Sequence, residues 1–189
     1  MGASELTMSI EVEKKYRLTE DQRASIVRRL TALGAQRFDT EFEVNTLYSS
    51  RTVDLENGVI RLRRVGDHAT LTFKKRFSSA SALKCQLEEE TRVSDAETMH
   101  RILGHLGFSP SLVYEKRRQT WKYADTEIAI DELPFGLFME IEGGETEIEN
   151  VERELEGEGL QAEEATYPQL IMTYGTRKDE VIEARFNET

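Results

Sequence analysis

Two hydrophobic periods alternate along the chain. One is the three-to-four-residue spacing of amphipathic helices, the other the strict alternation of half-buried strands. Helical spacing appears in Ile26, Val27, Leu30 and Leu33, in Met99, Ile102, Leu103 and Leu106, and in Val151 and Leu155. Each set follows a tetrad that opens with a hydroxyl and closes with Gln or Glu: Thr19-Glu20-Asp21-Gln22, Ser94-Asp95-Ala96-Glu97 and Thr146-Glu147-Ile148-Glu149. Such tetrads are capping boxes, in which the hydroxyl accepts a free backbone N–H of the first turn. Gly34, Gly107 and Gly157 end the three helices and supply left-handed exits. A short fourth helix is predicted from Pro168, with Leu170, Ile171 and Tyr174; the last dozen residues are polar and expected to fray.

Between the helices the period is two. Strands are predicted over about residues 8–17, 36–49, 58–65, 69–76, 83–92, 111–122, 126–132 and 137–143. Glu56-Asn57-Gly58 and Val65-Gly66-Asp67 supply short turns, and Ser78-Ser79-Ala80-Ser81 reads as a loop tip. Many strands with short connections imply an antiparallel sheet or barrel. Neither an internal repeat nor a long linker is present.

The alternation sorts charge onto one face of each strand. Glu11, Glu13 and Lys15 oppose Ile10, Val12 and Tyr16; Arg61 and Arg63 oppose Ile60 and Leu62; Lys74 opposes Leu71 and Phe73. Glu88 and Glu90 oppose Cys85 and Leu87, Lys116 and Arg118 share a face, Asp131 opposes Ile128 and Ile130, and Glu140 and Glu142 oppose Leu137, Met139 and Ile141. A charged strand face usually lies in water. Here the signs come in blocks, and the capped helices can cover the apolar faces from outside. The charged faces can then turn inward, and an eight-stranded barrel is just wide enough for one small ligand. The predicted fold is therefore α+β: a closed eight-stranded antiparallel β-barrel with helices packed outside.

Composition narrows the partners. At 189 residues the chain suits one domain, or two small ones, and its formal charge is 25 − 36 = −11. That balance disfavours stable DNA binding and an anionic membrane surface. No apolar run approaches the roughly 20 residues of a membrane span. The segment Met1-Gly2-Ala3-Ser4-Glu5 lacks the basic and apolar stretches of a secretory signal, and Leu6 stands where a myristoylation motif needs Ser or Thr. A single cysteine, Cys85, forms no internal disulfide and no thiolate zinc cage, so a cytoplasmic location is expected. His68, His100 and His105 do not share metal-ligand spacing and read as surface residues. Cys85, Trp121 and Tyr114 read as packing, with either aromatic able to lie near a tunnel mouth, and Glu152-Arg153-Glu154 as a solvated helix face.

Burying so much charge unpaired costs several kcal/mol per ion. Hard divalent cations take carboxylate oxygens, and phosphates take Arg and Lys. One cavity lined by both therefore suits a metal–polyphosphate complex. Glu11-Val12-Glu13-Lys14-Lys15 has the form Glu-x-Glu-x-Lys, and Arg61-Leu62-Arg63, Thr72-Phe73-Lys74, Glu88-Glu89-Glu90, Lys116-Arg117-Arg118, Asp131 and Glu140-Ile141-Glu142 follow in order. This succession resembles the CYTH superfamily, the triphosphate tunnel metalloenzymes. The segments Ile130-Asp131-Glu132-Leu133 and Phe138-Met139-Glu140-Ile141-Glu142 look most like its class IV adenylyl cyclase branch. The resemblance covers about residues 8–175, leaving residues 1–7 as a disordered extension and 176–189 as a polar tail.

That resemblance implies a triphosphate-containing small molecule as substrate and Mg²⁺ or Mn²⁺ as cofactor. It implies metal ligation by Glu11 and Glu13, completed by Glu90, Glu140 and Glu142, with Glu88 and Asp131 ligating metal or orienting basic side chains. Lys15, Arg61, Arg63, Lys74, Lys116 and Arg118 form the phosphate clamp, and Lys15 positions or deprotonates an attacking water. Known activities of the family are hydrolysis of inorganic, thiamine, nucleoside or RNA triphosphates, and conversion of ATP to cyclic AMP. Hydrolysis is favoured because it demands less of the site; a non-catalytic polyphosphate or nucleotide sensor and an acidic interaction protein are the other readings. Two departures from the family pattern are Gln86, where many members are basic, and Asn45, where many carry Asp. The sequence is compatible with a homodimer.

Overall fold

The computed structural model describes residues 9–52, 55, 58–76, 84–156 and 159–187. The expectations for residues 1–7, for the Glu56-Asn57 turn, for Ser78-Ser79-Ala80-Ser81 and for Gly157 lie outside those residues, as do those for the side chains of Cys85 and Gln86. In chain order the elements are β1 (Ser9–Leu18), α1 (Glu20–Ala32), β2 (Gln36–Ser50), β3 (Gly58–Val65), β4 (His68–Arg76), β5 (Lys84–Val93) and α2 (Ala96–His105). There follow β6 (Phe108–Tyr123), β7 (Thr126–Leu133), β8 (Gly136–Glu142), α3 (Glu145–Glu154), β9 (Gln161–Ala162), α4 (Tyr167–Tyr174), β10 (Thr176–Lys178) and β11 (Val181–Ala184).

Hydrogen-bonded neighbours run β6-β2-β3-β4-β5-β1-β8-β7, and β7 also pairs with β6 over Thr126–Glu132 and Arg117–Tyr123. All of these pairings are antiparallel. Gly66 takes φ +54° in the tight β3–β4 turn, a conformation that needs no Cβ. Helices α1, α2 and α3 lie against the apolar strand faces, whereas α4 lies against residues on the face that carries the charges. Ile26 and Leu30 of α1 and Ile148 and Val151 of α3 pack on Tyr16, Trp121, Ile128, Met139 and Ile141. Leu103 of α2 packs on Tyr48, Leu62 and Ala69. Leu170 and Ile171 of α4 pack on Leu47, Leu112, Tyr114 and Phe138. Among the described residues no helix is long and apolar enough to cross a membrane.

Several local expectations change. Thr19 and Gln22 cap α1 reciprocally, as the tetrad predicts. In α2 the cap is Asp95 rather than Ser94, because the Asp95 carboxylate accepts from the Thr98 N–H at 3.0 Å. In α3 the cap is Gly144 and Thr146 lies inside the first turn, since the Ile148 N–H already reaches the Gly144 carbonyl at 2.9 Å. The left-handed exit of α3 is taken by Glu156 (φ +52°). Helix α4 starts with a capping box that the reading from Pro168 overlooks, Thr166-Tyr167-Pro168-Gln169. The end of the chain does not fray through Ala184: β10 and β11 form a hairpin, and β11 runs parallel to β6 over Leu112–Tyr114. Glu152 is not merely solvated, because it accepts from Lys14 at 2.7 Å and from the Tyr16 hydroxyl. His100 accepts or donates at 2.8 Å to the Tyr48 hydroxyl and does not join the other histidines.

Candidate functional site

Residues paired across two strands point to the same face, so register determines which charges meet. Lys15 faces Glu140 and Glu13 faces Glu142 between β1 and β8. Lys74 faces Glu88 and Thr72 faces Glu90 between β4 and β5. Arg61 faces Thr72, and Arg63 faces Asn45, across β3 and its two neighbours. Glu43 faces Lys116 between β2 and β6, and Arg118 faces Asp131 between β6 and β7. A cavity of about 450 Å³ lies on this face. Its wall carries all six predicted bases, Lys15, Arg61, Arg63, Lys74, Lys116 and Arg118, with Glu13, Glu140 and Glu142. Glu11, Glu88, Glu90 and Asp131 are not part of that wall but contact residues that are.

The bases are held in place by buried acids. Arg118 donates to both Asp131 oxygens at 2.8 and 2.6 Å and to Glu140 at 2.5 Å. Lys116, 1% exposed, lies 3.2 Å from Asp131 and 3.4 Å from Glu43. Arg63 lies 3.3 Å from Glu43 and donates to Asn45 Oδ1, also at 3.3 Å. Lys15 lies 3.1 Å from Glu140 and 3.6 Å from the centroid of the Tyr167 ring, whose hydroxyl donates to Asp131 at 2.6 Å. Asp131 thus has its oxygens filled by Arg118, Lys116 and Tyr167, and Glu140 sits between Lys15 and Arg118. Both orient cations in this arrangement.

Sequence reasoning missed Glu43 and Tyr167. Glu43 is fully buried. Burial alone would raise its pKa, but Lys116, Arg118 and Arg63 overcome it and hold the carboxyl well below the usual range. Asp131 is shifted the same way, against burial, by Arg118 and Lys116. Burial, then the nearby Arg118 charge, pushes Lys116 down to about 8 against the pull of Asp131 and Glu43. Asn45 donates to Glu43 at 3.1 Å while accepting from Arg63, so a neutral amide links acid to base. An aspartate there would set a second buried carboxylate against Glu43. Arg61 donates to Thr72 at 3.2 Å and lies 3.6 Å from Glu88. Its Nε and Glu43 Oε1 are buried without a hydrogen-bond partner among the described residues. A donor left open beside a basic cavity suits an anionic ligand.

A second group of acids surrounds Lys74, which lies 3.4 Å from Glu11 and pairs with Glu88. Glu11 is pushed up to about 8 by burial, by its hydrogen bond with Glu88, and by the charges of Glu142 and Glu88. Burial raises Glu142 as well; Glu127, Glu13 and Glu88 add to this while Lys74 opposes it. Glu88 is shifted down despite burial because Glu11 and Lys74 donate to it. Among the described residues no three acids stand close enough to hold a metal ion alone. The donor chemistry still fits a divalent cation: oxygen ligands, excess negative charge and a proton held between two carboxylates. Mg²⁺ in particular binds through one or two carboxylates plus substrate phosphates, not in an all-protein cage.

Residues 9–168 match the family model of the CYTH domain. The chain belongs to the CYTH family. It is 28% identical over 151 residues to a putative adenylate cyclase of Methanocaldococcus jannaschii, covering 78% of this chain and 84% of that protein. Among solved structures it resembles a Pyrococcus horikoshii protein at 23% identity and TM-score 0.69, covering 83% of this chain and 96% of the other. It also resembles, at 18% identity and TM-score 0.64, a putative adenylyl cyclase from Hippeastrum described as having a dominant triphosphatase activity, covering 88% and 96%. These likenesses between structures establish the shared CYTH fold. Family members are triphosphatases or putative adenylate cyclases.

Proposed function

We propose that this CYTH protein is a divalent-metal-dependent hydrolase of triphosphates, inorganic, nucleoside or thiamine, bound in a closed eight-stranded tunnel. The ring of pairings through β6, β2, β3, β4, β5, β1, β8 and β7 supports the tunnel. The observation that carries the chemistry is the single cavity holding six bases beside a separate group of acids. Lys15, Arg61, Arg63, Lys74, Lys116 and Arg118 clamp the phosphate oxygens. The carboxylates that would hold the cation, together with substrate phosphates, come from Glu11, Glu13, Glu88 and Glu142, with Glu90 kept close by Thr72 at 3.1 Å. The cation, when bound, neutralises charge that develops on the phosphates. In phosphoryl transfer most of the work is positioning and charge neutralisation, so no covalent nucleophile is needed. Lys15, held by Glu140 and the Tyr167 ring, orients the terminal phosphate and the water in line with it.

Cyclisation of ATP is the second reading, favoured by the M. jannaschii relative's description as a putative adenylate cyclase. Hydrolysis needs only an ordered water, whereas cyclisation needs the ribose 3′-hydroxyl in line with the α-phosphorus. Incubation with Mg²⁺ and either ATP or inorganic triphosphate decides. Orthophosphate without cyclic AMP is expected, and cyclic AMP with pyrophosphate as main products would overturn hydrolysis.

The acids also predict how pH and metal act on stability. Glu11 has a folded pKa near 8, above its ordinary value of 4.5. The folded state therefore binds more protons than the unfolded one between these values. Its contribution is complete below the ordinary value and is lost as pH rises through about 8; Glu142 shifts in the same direction. Glu43 and Asp131 have depressed pKa values, so theirs is lost only in acid. The Lys116 window opens above about 8, where losing its proton relieves a buried charge. Metal-free protein should therefore melt at progressively lower temperature from about pH 5 to pH 8. Mg²⁺ competes with the bound proton, so its Tm increment should grow over the same range. Thermal scans with EDTA and with Mg²⁺ test both, and an increment that shrinks with rising pH would refute the cation assignment.

A further inference from the structure

A second cavity, of about 560 Å³, adjoins the first and shares Leu47, Val59 and Pro168 with it. Register explains the change of character between them. Along the inner face of β2 the residues read Glu43, Asn45, Leu47 and Ser49, and opposite them on β6 stand Lys116, Tyr114 and Leu112. Charge gives way to an apolar collar of Leu47, Val59, Leu112 and Pro168, then to hydroxyls, with the exposed Arg51 at the outer rim. A β-bulge between Leu47 and Tyr48 skips Ser111 in the pairing, and the Ser111 hydroxyl donates to the Leu47 carbonyl at 3.2 Å on the cavity wall. Bulges re-aim side chains in this way beside binding sites.

We propose that this second cavity receives the ring-bearing organic group of a triphosphate ester, with the collar against its ring face and the hydroxyls of Ser49 and Ser111 at its polar edge. An inorganic triphosphate is charged along its whole length and has no apolar group to set against the collar. An apolar lining with a few polar groups, in a volume of this size, is the usual composition of a small-molecule subsite. The proposal rests on the triphosphate chemistry argued above and names its preferred substrate class: organic triphosphates over inorganic triphosphate.

The test uses ATP and inorganic triphosphate as paired probes. In wild-type protein ATP should bind at least about tenfold more tightly, the scale of one well-filled apolar pocket. Ser49→Trp and Ser111→Trp fill the cavity from two strands. Each should lower the ratio of kcat/KM for ATP to that for inorganic triphosphate by about tenfold or more. Equal wild-type affinities, or a ratio that stays within about twofold in a folded variant, would overturn the proposal. Calorimetric affinities in EDTA read the subsite without turnover. If neither compound is hydrolysed while ATP still binds preferentially, the hydrolase reading fails and the subsite stands.

Discussion

Arg118→Met is expected to remove about 3–5 kcal/mol of stability and to abolish triphosphate turnover. The side chain lies where three acids meet, bonded twice to Asp131 and once to Glu140, and 3.8 Å from Glu43. Asp131 and Glu43 are both fully buried, and their depressed pKa values show how far they depend on nearby cations. Methionine keeps the length of the stem but leaves two carboxylates inside with Lys116 as their main remaining partner. Removing one member of a buried ion network costs more than removing the network, because the orphaned charge stays desolvated. Arg118→Met combined with Asp131→Asn should therefore lose less than the sum of the single variants, by about 1 kcal/mol or more. Denaturant titrations measure all three. A loss below about 1 kcal/mol for Arg118→Met would mean that these acids are solvated and that the enclosed-channel reading is wrong.

The six bases were legible because strand alternation is rigid. Once Ile60 and Leu62 face a helix, Arg61 and Arg63 must face the other way. Which base meets which acid was not legible, since that depends on pairing between distant strands. Glu43 shows the difficulty. It lies in Asp39-Thr40-Glu41-Phe42-Glu43, where Phe42 is 45% exposed, so the segment shows no clean apolar face to mark the opposite one as interior. Tyr167 was hidden for another reason: at the head of an apolar helix it resembles core, and only its hydroxyl, reaching Asp131, gives it a part in the site. The Thr166–Gln169 capping box was the available signal. The C-terminal hairpin follows from a length mismatch. β6 has 16 residues and β7 only 8, so Leu112–Tyr114 offer a free edge that β11 fills with the short apolar stretch Val181-Ile182-Glu183-Ala184, set within an otherwise polar end of the chain. Helices α2 and α3 start at Asp95 and Gly144 rather than at the hydroxyls of Ser94 and Thr146, because the Asp95 carboxylate caps the one and the Ile148 N–H reaches the Gly144 carbonyl in the other.

Glu13→Gln should separate stability from function at the acidic end of the site. Glu13 lines the cavity, faces Glu142 across β1 and β8, and is one of the charges that raise the Glu142 pKa. The amide has nearly the same shape, so packing is kept while one like charge is removed. Metal-free Glu13→Gln should consequently melt at or above the wild-type temperature near pH 8, where repulsion among Glu11, Glu13, Glu88 and Glu142 is strongest. Its Mg²⁺-dependent turnover should nevertheless fall by at least about 100-fold, since even outer-shell partners of a metal are worth about 10–100-fold. The Tm increment on adding Mg²⁺ should shrink with it. A residue that served only the fold would lower stability and activity together. Charge kept at a stability cost for the sake of a cation lowers activity alone, as expected where function opposes stability. If Glu13→Gln retained full metal-dependent turnover, Glu13 would not hold the ion, and the assignment would pass to Glu11, Glu88 and Glu142 alone.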